Sequence, residues 1–288
     1  MTTARQLPLF GPTSAPTPAA GPSRSLAASL AGPTRFAVLG SGSSGNSVVV
    51  ESRGRCVLID AGFACRELEH RLQAVGVEPR SVEAVVLTHE HADHCRGAAR
   101  FAARYRIPVY ATAGTLRGPW LRQLPGRSTL RPNGRCEIAG LAIETFPVSH
   151  DARQPVGLVV EDHEGRRVGL LADLGEATSS TWAQLRDLSA LVLESNHDLE
   201  MLRRGPYPWS LKQRVASVRG HLSNGAAAAG VEAVLGDGLH TVVLYHLSRI
   251  NNLPALAYEA VAAAVERAGS SARVELSEQF RPTRWMAV

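Results

Sequence analysis

Residues 89–94 read His89-Glu90-His91-Ala92-Asp93-His94, directly after the apolar run Ala84-Val85-Val86-Leu87 and Thr88. Three imidazoles and a carboxylate within six residues, delivered by a strand-like run, converge on a small volume. Neutral imidazole and carboxylate are the donors that borderline divalent ions such as zinc, manganese or iron accept. A merely solvated cluster would not need a buried strand feeding it. His89 and Asp93 are spaced i,i+4, yet the helical H-E-x-x-H of zinc proteases is not present. Behind the cluster, residues 95–105 read as a helix, with Asp93 placed to interact with its N-terminus.

Working outward, the same arrangement recurs. The apolar run 141–146 leads through Pro147 to His150, the run 168–171 to Asp173, the run 241–245 to His246, and the run 56–59 to Asp60. Sheets gather chemistry at strand ends, where loops converge on a rigid support. Alone, each of these residues reads as a hydrogen-bonded histidine or a turn aspartate. As a series they read as one site.

A competing pattern lies upstream. Residues 40–45, GSGSSG, match the dinucleotide-binding pattern G-x-G-x-x-G, and Asp60 stands twenty residues beyond Gly40, where such folds place a ribose-binding acid. That fingerprint needs a strand before the glycines and a helix after them. Phe36-Ala37-Val38-Leu39 supplies the strand, but Asn46-Ser47-Val48-Val49-Val50-Glu51 is a β-branched run with poor helix propensity. A turn at 52–55 and a further apolar run, Cys56-Val57-Leu58-Ile59, complete an antiparallel meander. The dinucleotide reading is rejected.

The 288 residues, 44% hydrophobic, suffice for one large α/β domain or two small ones. A net charge of +5 invites a nucleic-acid partner. Lys212 is the only lysine, however, and an arginine- and alanine-rich chain is also what G- and C-rich codons produce, so charge alone decides little. Cys56, Cys65, Cys95 and Cys136 form no C-x-x-C pair and read as reduced thiols. With no charged-then-apolar leader and no membrane-length apolar run, the expectation is a cytoplasmic protein without membrane association.

Residues 1–33, rich in Pro, Ala, Ser and Thr, read as a flexible tail, and 34–288 as one catalytic domain without a recognisable internal repeat. Within the tail, Gln6-Leu7-Pro8-Leu9-Phe10 resembles the Q-L-x-L-F peptide by which DNA-processing enzymes dock on the bacterial sliding clamp. Gln6, Leu7, Leu9 and Phe10 are the candidate clamp contacts, on a tether that spans roughly 25–30 Å as a flexible chain.

Two stretches suggest how a phosphate is held. Residues 191–198, LVLESNHD, form a strand with a polar end. Residues 205–224, GPYPWSLKQRVASVRGHLSN, crowd Lys212, Arg214, Arg219 and His221 together, with Tyr207 and Trp209 nearby for stacking. Ser223 and Asn224 open a helix over 225–235 and offer an N-terminal anion site, and Ser248 does likewise ahead of a helix that starts by Pro254. Lys212, Arg214, Ser223, Asn224 and Ser248 are the candidate phosphate contacts, which hold phosphate without reading base sequence. The bland alternative is a solvated basic helix with ordinary Ser and Asn caps.

The order Asp, H-x-H-x-D-H, His, Asp, His from residue 36 to about 250 resembles the metallo-β-lactamase superfamily. The resemblance implies an αββα sandwich with metals in a cleft at one edge. It implies that His89, His91 and His150 hold one ion, that Asp93, His94 and His246 hold a second, and that Asp173 bridges them. Asp60 would orient ligands through hydrogen bonds. Within the superfamily, GSGSSGNS, THEHADH, ESNHD, LKQR…GHLSN and HLSRINN together resemble the YycJ/WalJ branch. That implies a 5′-to-3′ exonuclease on double-stranded DNA using two divalent ions (Mn, Zn or Fe), with a place in DNA repair. Asp93 or Asp173 would orient the attacking water, and His221 would act at the leaving side of the scissile phosphate. Paired cations suit phosphodiesters. The rivals are an RNA-processing nuclease and a small-molecule phosphodiesterase or thioester hydrolase of the same superfamily; the small-molecule enzymes would have no use for the basic block at 205–224.

Overall fold

Phe36, Ala37, Val38 and Leu39 are all fully buried, so the first strand carries apolar side chains on both faces and needs a layer on each side. The computed structural model, which describes residues 32–288, supplies both. The clamp-like peptide and nearly all of the tail lie outside the described residues.

Strands β1 (Arg35–Gly40), β2 (Ser47–Ser52) and β3 (Arg55–Ile59) form an antiparallel meander. β4 (Val82–Val86), β5 (Val109–Thr112) and β6 (Arg127–Leu130) then add in parallel to complete one edge of the first sheet. The second sheet repeats that plan. β7 (Gly134–Ile138), β8 (Leu141–Pro147), β9 (Val156–Glu161) and β10 (Arg167–Leu171) meander, and β11 (Ala190–Glu194), β12 (Thr241–Tyr245) and β13 (Arg273–Leu276) follow in parallel. β14 (Met286–Ala287) returns to the first sheet and pairs with β1. The repeat of plan is invisible to a search for repeated residues, because only the order of hydrogen-bonded neighbours recurs.

Between the sheets, Val48, Val50, Val57 and Ile59 meet Ile143, Leu158, Val160, Val192 and Val243. The outer face of the first sheet is covered by α1 (Cys65–Ala74), α2 (Ala92–Cys95) and α3 (Ala98–Tyr105), whose Leu68, Leu72 and Phe101 pack on Leu58 and Val85. After β10 come the short helices α4 (Ser179–Gln184), α5 (Leu199–Arg204) and α6 (Trp209–Val215). α7 (Asn224–Val234) and α8 (Pro254–Arg267) cover the second sheet, with Val231, Ala257 and Val261 against Val242 and Leu244. The layer order is therefore helix, sheet, sheet, helix, the αββα sandwich expected from the resemblance.

One expected element is divided. The helix read over 95–105 is broken at Arg96 and Gly97, and the chain is already helical from Ala92. Asp93 thus lies inside the first turn and makes no cap hydrogen bond. The break has a tertiary cause: Gly97 N–H donates to the Ala61 carbonyl at 2.9 Å, and a Cβ on Gly97 would sit 1.9 Å from the Phe63 carbonyl oxygen. The loop at 40–46 is equally close-packed. Asn46 N–H donates to the Asp93 carbonyl at 2.8 Å, and Gly62, beside it, leaves 1.6 Å between a built Cβ and the same carbonyl oxygen. The glycines and small polar residues there let backbone lie directly against the H-x-H-x-D-H turn.

Candidate metal centre

The candidate ligands reach one cleft from the ends of both sheets. His89, His91, Asp93 and His94 follow β4, while His150, Asp173 and His246 follow β8, β10 and β12. Donor atoms of His89, His91, His150 and Asp173 all lie within 4.8 Å of one another, as do those of Asp93, His94 and His246. Asp173 joins the two groups. Its Oδ2 lies 3.5 Å from His89 Nε2 and 3.5 Å from His150 Nε2. Its Oδ1 lies 3.5 Å from His94 Nε2 and 2.9 Å from His246 Nδ1.

The three 3.5 Å spacings fit a shared cation better than they fit hydrogen bonds, whereas the 2.9 Å contact to His246 Nδ1 is of hydrogen-bond length. Two donors each about 2.1 Å from a common tetrahedral ion stand roughly 3.4 Å apart. His89 Nε2 and His246 Nε2 are buried and hydrogen-bond to nothing among the described residues. Buried polar atoms without partners are costly and rare, and a ligating role accounts for both. The cluster is thus suited to divalent metal.

Asp60 fixes which nitrogen each imidazole offers. A carboxylate only accepts, so His94 Nδ1–H donates to Asp60 Oδ2 at 2.7 Å and leaves Nε2 facing the cluster. Thr88 donates to Asp60 through its N–H and its hydroxyl, at 2.8 Å in each case. With that proton committed, His89 Nδ1–H donates to Thr88 Oγ1 at 3.0 Å, and His89 Nε2 also faces inward. One aspartate therefore sets a tautomer in each ligand group. His150 Nδ1–H is held by the Gly220 carbonyl at 3.0 Å.

Two of these residues have strained backbones. Asp60 (φ 59°) and His246 (φ 55°) lie in the left-handed region, which costs non-glycine residues of order 1–3 kcal/mol. His246 is pinned there by its N–H to Ser41 Oγ at 2.6 Å and by Asn196 Nδ2, which donates to its carbonyl at 2.8 Å. Ser41 belongs to the GSGSSG stretch, so that loop serves the metal cleft.

Charge in the metal-free cluster is divided. Burial pushes the His89 imidazole well below its ordinary pKa, and neighbouring His94 adds to the shift. Burial likewise lowers His150. For His94 and His246 burial acts the same way, but the Asp173 carboxylate, joined by Asp60 and Asp93 at His94 and by Asp93 and Glu194 at His246, overrides it and holds both well above the usual value. Burial would raise Asp173, yet His246 and His94 keep it well below the carboxylate range.

A pH dependence follows, with its sign fixed by these directions. The stabilisation from raised His94 and His246 is fully present below the ordinary histidine pKa and is lost as pH rises through their folded values. A cation must displace those same protons, at roughly 1.4 kcal/mol per proton per pH unit. The melting-temperature gap between metal-loaded and chelator-treated protein is therefore expected to widen by several degrees from pH 6.5 to pH 9. Thermal melts with and without chelator measure it, and a gap that narrows with pH would contradict the assignment.

Glu194 was not singled out from the sequence. It is fully buried at the end of β11, where Oε2 accepts from the backbone N–H of Leu174 at 2.8 Å and of Leu222 at 3.2 Å. Oε1 accepts from His221 Nδ1 at 2.6 Å and from His246 Nδ1 at 3.0 Å. A separation of 2.6 Å is hydrogen bonding, too short for two donors sharing an ion. Burial would lower the His221 pKa, but the Glu194 charge and hydrogen bond raise it.

The sequence-derived phosphate contacts divide. Arg214, Ser248 and His221 line the cleft together with Ser43, Asn196 and Tyr207. Lys212 instead donates to the Arg203 carbonyl at 2.8 Å. Ser223 accepts from Ala226 N–H at 3.2 Å as an ordinary helix cap. Asn224 is buried, its amide shared between Ser195 and Asn252 at 2.8 and 2.9 Å. Its side chain is buried in this amide network and does not line the cleft.

Fold and site together define a metal-dependent hydrolase. The chain belongs to the metallo-β-lactamase superfamily, with residues 55–247 matching the family described as the beta-lactamase superfamily domain. It is 34% identical over 240 residues to exodeoxyribonuclease YycJ of Bacillus anthracis, a match covering 81% of this chain and 90% of the relative. Exodeoxyribonuclease WalJ of Streptococcus pneumoniae is 33% identical over 230 residues, covering 78% and 85%. The crystal structure of the metallo-β-lactamase fold protein YhfI from Bacillus subtilis superposes with a TM-score of 0.67 at 17% identity, over 88% of this chain and 99% of that one.

Proposed function

We propose that this chain is a two-metal phosphodiesterase that degrades double-stranded DNA from its 5′ ends. The observation that carries the reading is the Asp173 carboxylate, one oxygen turned to each histidine group. His89, His91 and His150 would hold one ion, Asp93, His94 and His246 the other, with zinc, manganese and iron all compatible with these donors. The two relatives' names as exodeoxyribonucleases support DNA as the polymer. The cleft supports a phosphodiester over an acyl substrate, since its lining is mostly polar, with Leu211 and Val215 the apolar exceptions.

Bound divalent cations at such a site supply Lewis acidity toward the phosphate and lower the pKa of water. The chain's own residues do the rest. Asp93 and Asp173, buried or half-buried at the cleft floor, orient the attacking water by accepting its hydrogens. His221, held by Glu194 with its ring on the cleft wall, carries a proton toward the leaving oxygen. Arg214 and the Ser248 hydroxyl bind phosphate oxygens at the cleft mouth.

End-labelled duplex DNA tests the reading. With manganese or zinc, label at the 5′ end is expected to appear as mononucleotide before label at the 3′ end, and chelator is expected to abolish release. Preferential digestion of RNA, or release of the 3′ label first, would contradict the substrate or the polarity. A cytoplasmic place in DNA repair belongs to the same proposal, consistent with four free cysteines and with no helix among the described residues long and apolar enough to cross a membrane. So does clamp docking by Gln6, Leu7, Leu9 and Phe10, for which deletion of residues 1–10 is expected to abolish pull-down by the clamp; an unchanged pull-down would dispose of it.

A further inference from the structure

Three consecutive residues after β8 clamp the segment that carries the basic block. Ser149 Oγ donates to the Val218 carbonyl at 2.7 Å, and His150 Nδ1 reaches the Gly220 carbonyl at 3.0 Å. Asp151 Oδ2 takes both Nε and Nη2 of Arg214, each at 2.6 Å. The other oxygen of Asp151 points the opposite way. Oδ1 is buried, makes no hydrogen bond among the described residues, and lies 3.3 Å from His150 Nε2 and 3.6 Å from His91 Nε2. One carboxylate thus spans from the imidazoles of the first ligand group to a guanidinium on α6.

The Arg214 side chain is 62% exposed, and an ion pair so open to water contributes little to stability. Placement is what the pair achieves. Arg214 lines the cleft beside Asp173, His221 and Ser248, and with two of its nitrogens on a single Asp151 oxygen, Nη1 is left without a protein acceptor among the described residues. A long side chain on a short exposed helix would otherwise sample many rotamers. Lys212, the neighbouring cation, is turned away to the Arg203 carbonyl.

We propose that Asp151 is a positioning residue that holds Arg214 across the cleft mouth, with the remaining edge of the guanidinium presented to a phosphate of the DNA strand next to the one being cut. The assignment rests on the nuclease reading above. It makes substrate binding depend on a carboxylate that itself abuts the metal ligands, so α6 is in register with the reacting centre.

Steady-state kinetics on duplex DNA, with metal content by elemental analysis, test this on Asp151→Asn, Asp151→Glu, Arg214→Ala and the Asp151→Asn/Arg214→Ala pair. KM is expected to rise about tenfold in Asp151→Asn and in Arg214→Ala, the scale of one charge-assisted hydrogen bond, while kcat moves less than about threefold. The pair should be no worse than Arg214→Ala alone, Asp151→Glu should recover part of the loss, and metal content should match wild type. Loss of a cation from Asp151→Asn would make it a ligand and overturn the proposal, as would additive effects or an unchanged KM. Arg214→Ala alters an exposed side chain, so its unchanged KM would be decisive even were Asp151→Asn to misfold. A wild-type protein that cuts no duplex with any cation would instead sink the nuclease reading.

Discussion

Asp173→Ala is expected to strip metal from both ligand groups and to reduce DNA hydrolysis by about 10³-fold or more, the scale on which one preorganised stabilising group is felt. The reasoning is geometric. Among the described residues no other carboxylate places an oxygen within 3.5 Å of a histidine in each group, and Asp173 is buried. Asp173→Asn keeps the shape and removes the charge, and should lose metal as well. Its second effect falls on His94 and His246, whose raised pKa values depend chiefly on this carboxylate and should drop toward the ordinary range. Elemental analysis and turnover on the same samples decide the matter. Full metal occupancy in Asp173→Ala would mean that the two groups do not share it.

His221→Ala should separate chemistry from metal retention. The imidazole lines the cleft, with donor atoms of His221, Glu194, Asp173 and His246 all within 4.8 Å of one another, but its Nδ1 is taken up by the 2.6 Å hydrogen bond to Glu194. A positioned acid–base group contributes typically 10²–10⁴-fold, so kcat is expected to fall on that scale with metal content intact. Glu194→Gln should lower kcat through the same pair, and the double variant should be little worse than either alone, as for residues acting as a unit. Cation loss from His221→Ala would place it among the ligands instead.

Much of this centre is legible in the sequence because its donors stand at the ends of apolar runs. The H-x-H-x-D-H turn, His150, Asp173 and His246 each follow a strand whose composition announces it, and the strands bring them together. The meander that excludes a dinucleotide fold is equally plain, since β-branched residues follow the glycines where a helix would be required. Glu194 is hidden for a different reason. The ESNHD stretch helps carry the resemblance but assigns Glu194 no role, and its partners His221 and His246 lie 27 and 52 residues away. Residue type also says nothing of direction. Lys212 and Asn224 have phosphate-binding chemistry, but one is drawn to a backbone carbonyl and the other into a buried amide network. The break at Gly97 is set by Phe63, a contact no local propensity encodes.

The division of donors between the two sheets has a bearing on assembly. His89 and His91 hang from one half of the sandwich, His150 and Asp173 from the other, so the first donor group is complete only once the halves have met. Metal loading through the proposed ligands would then read out correct docking, since a chain whose halves had met in the wrong register would lack the complete donor group.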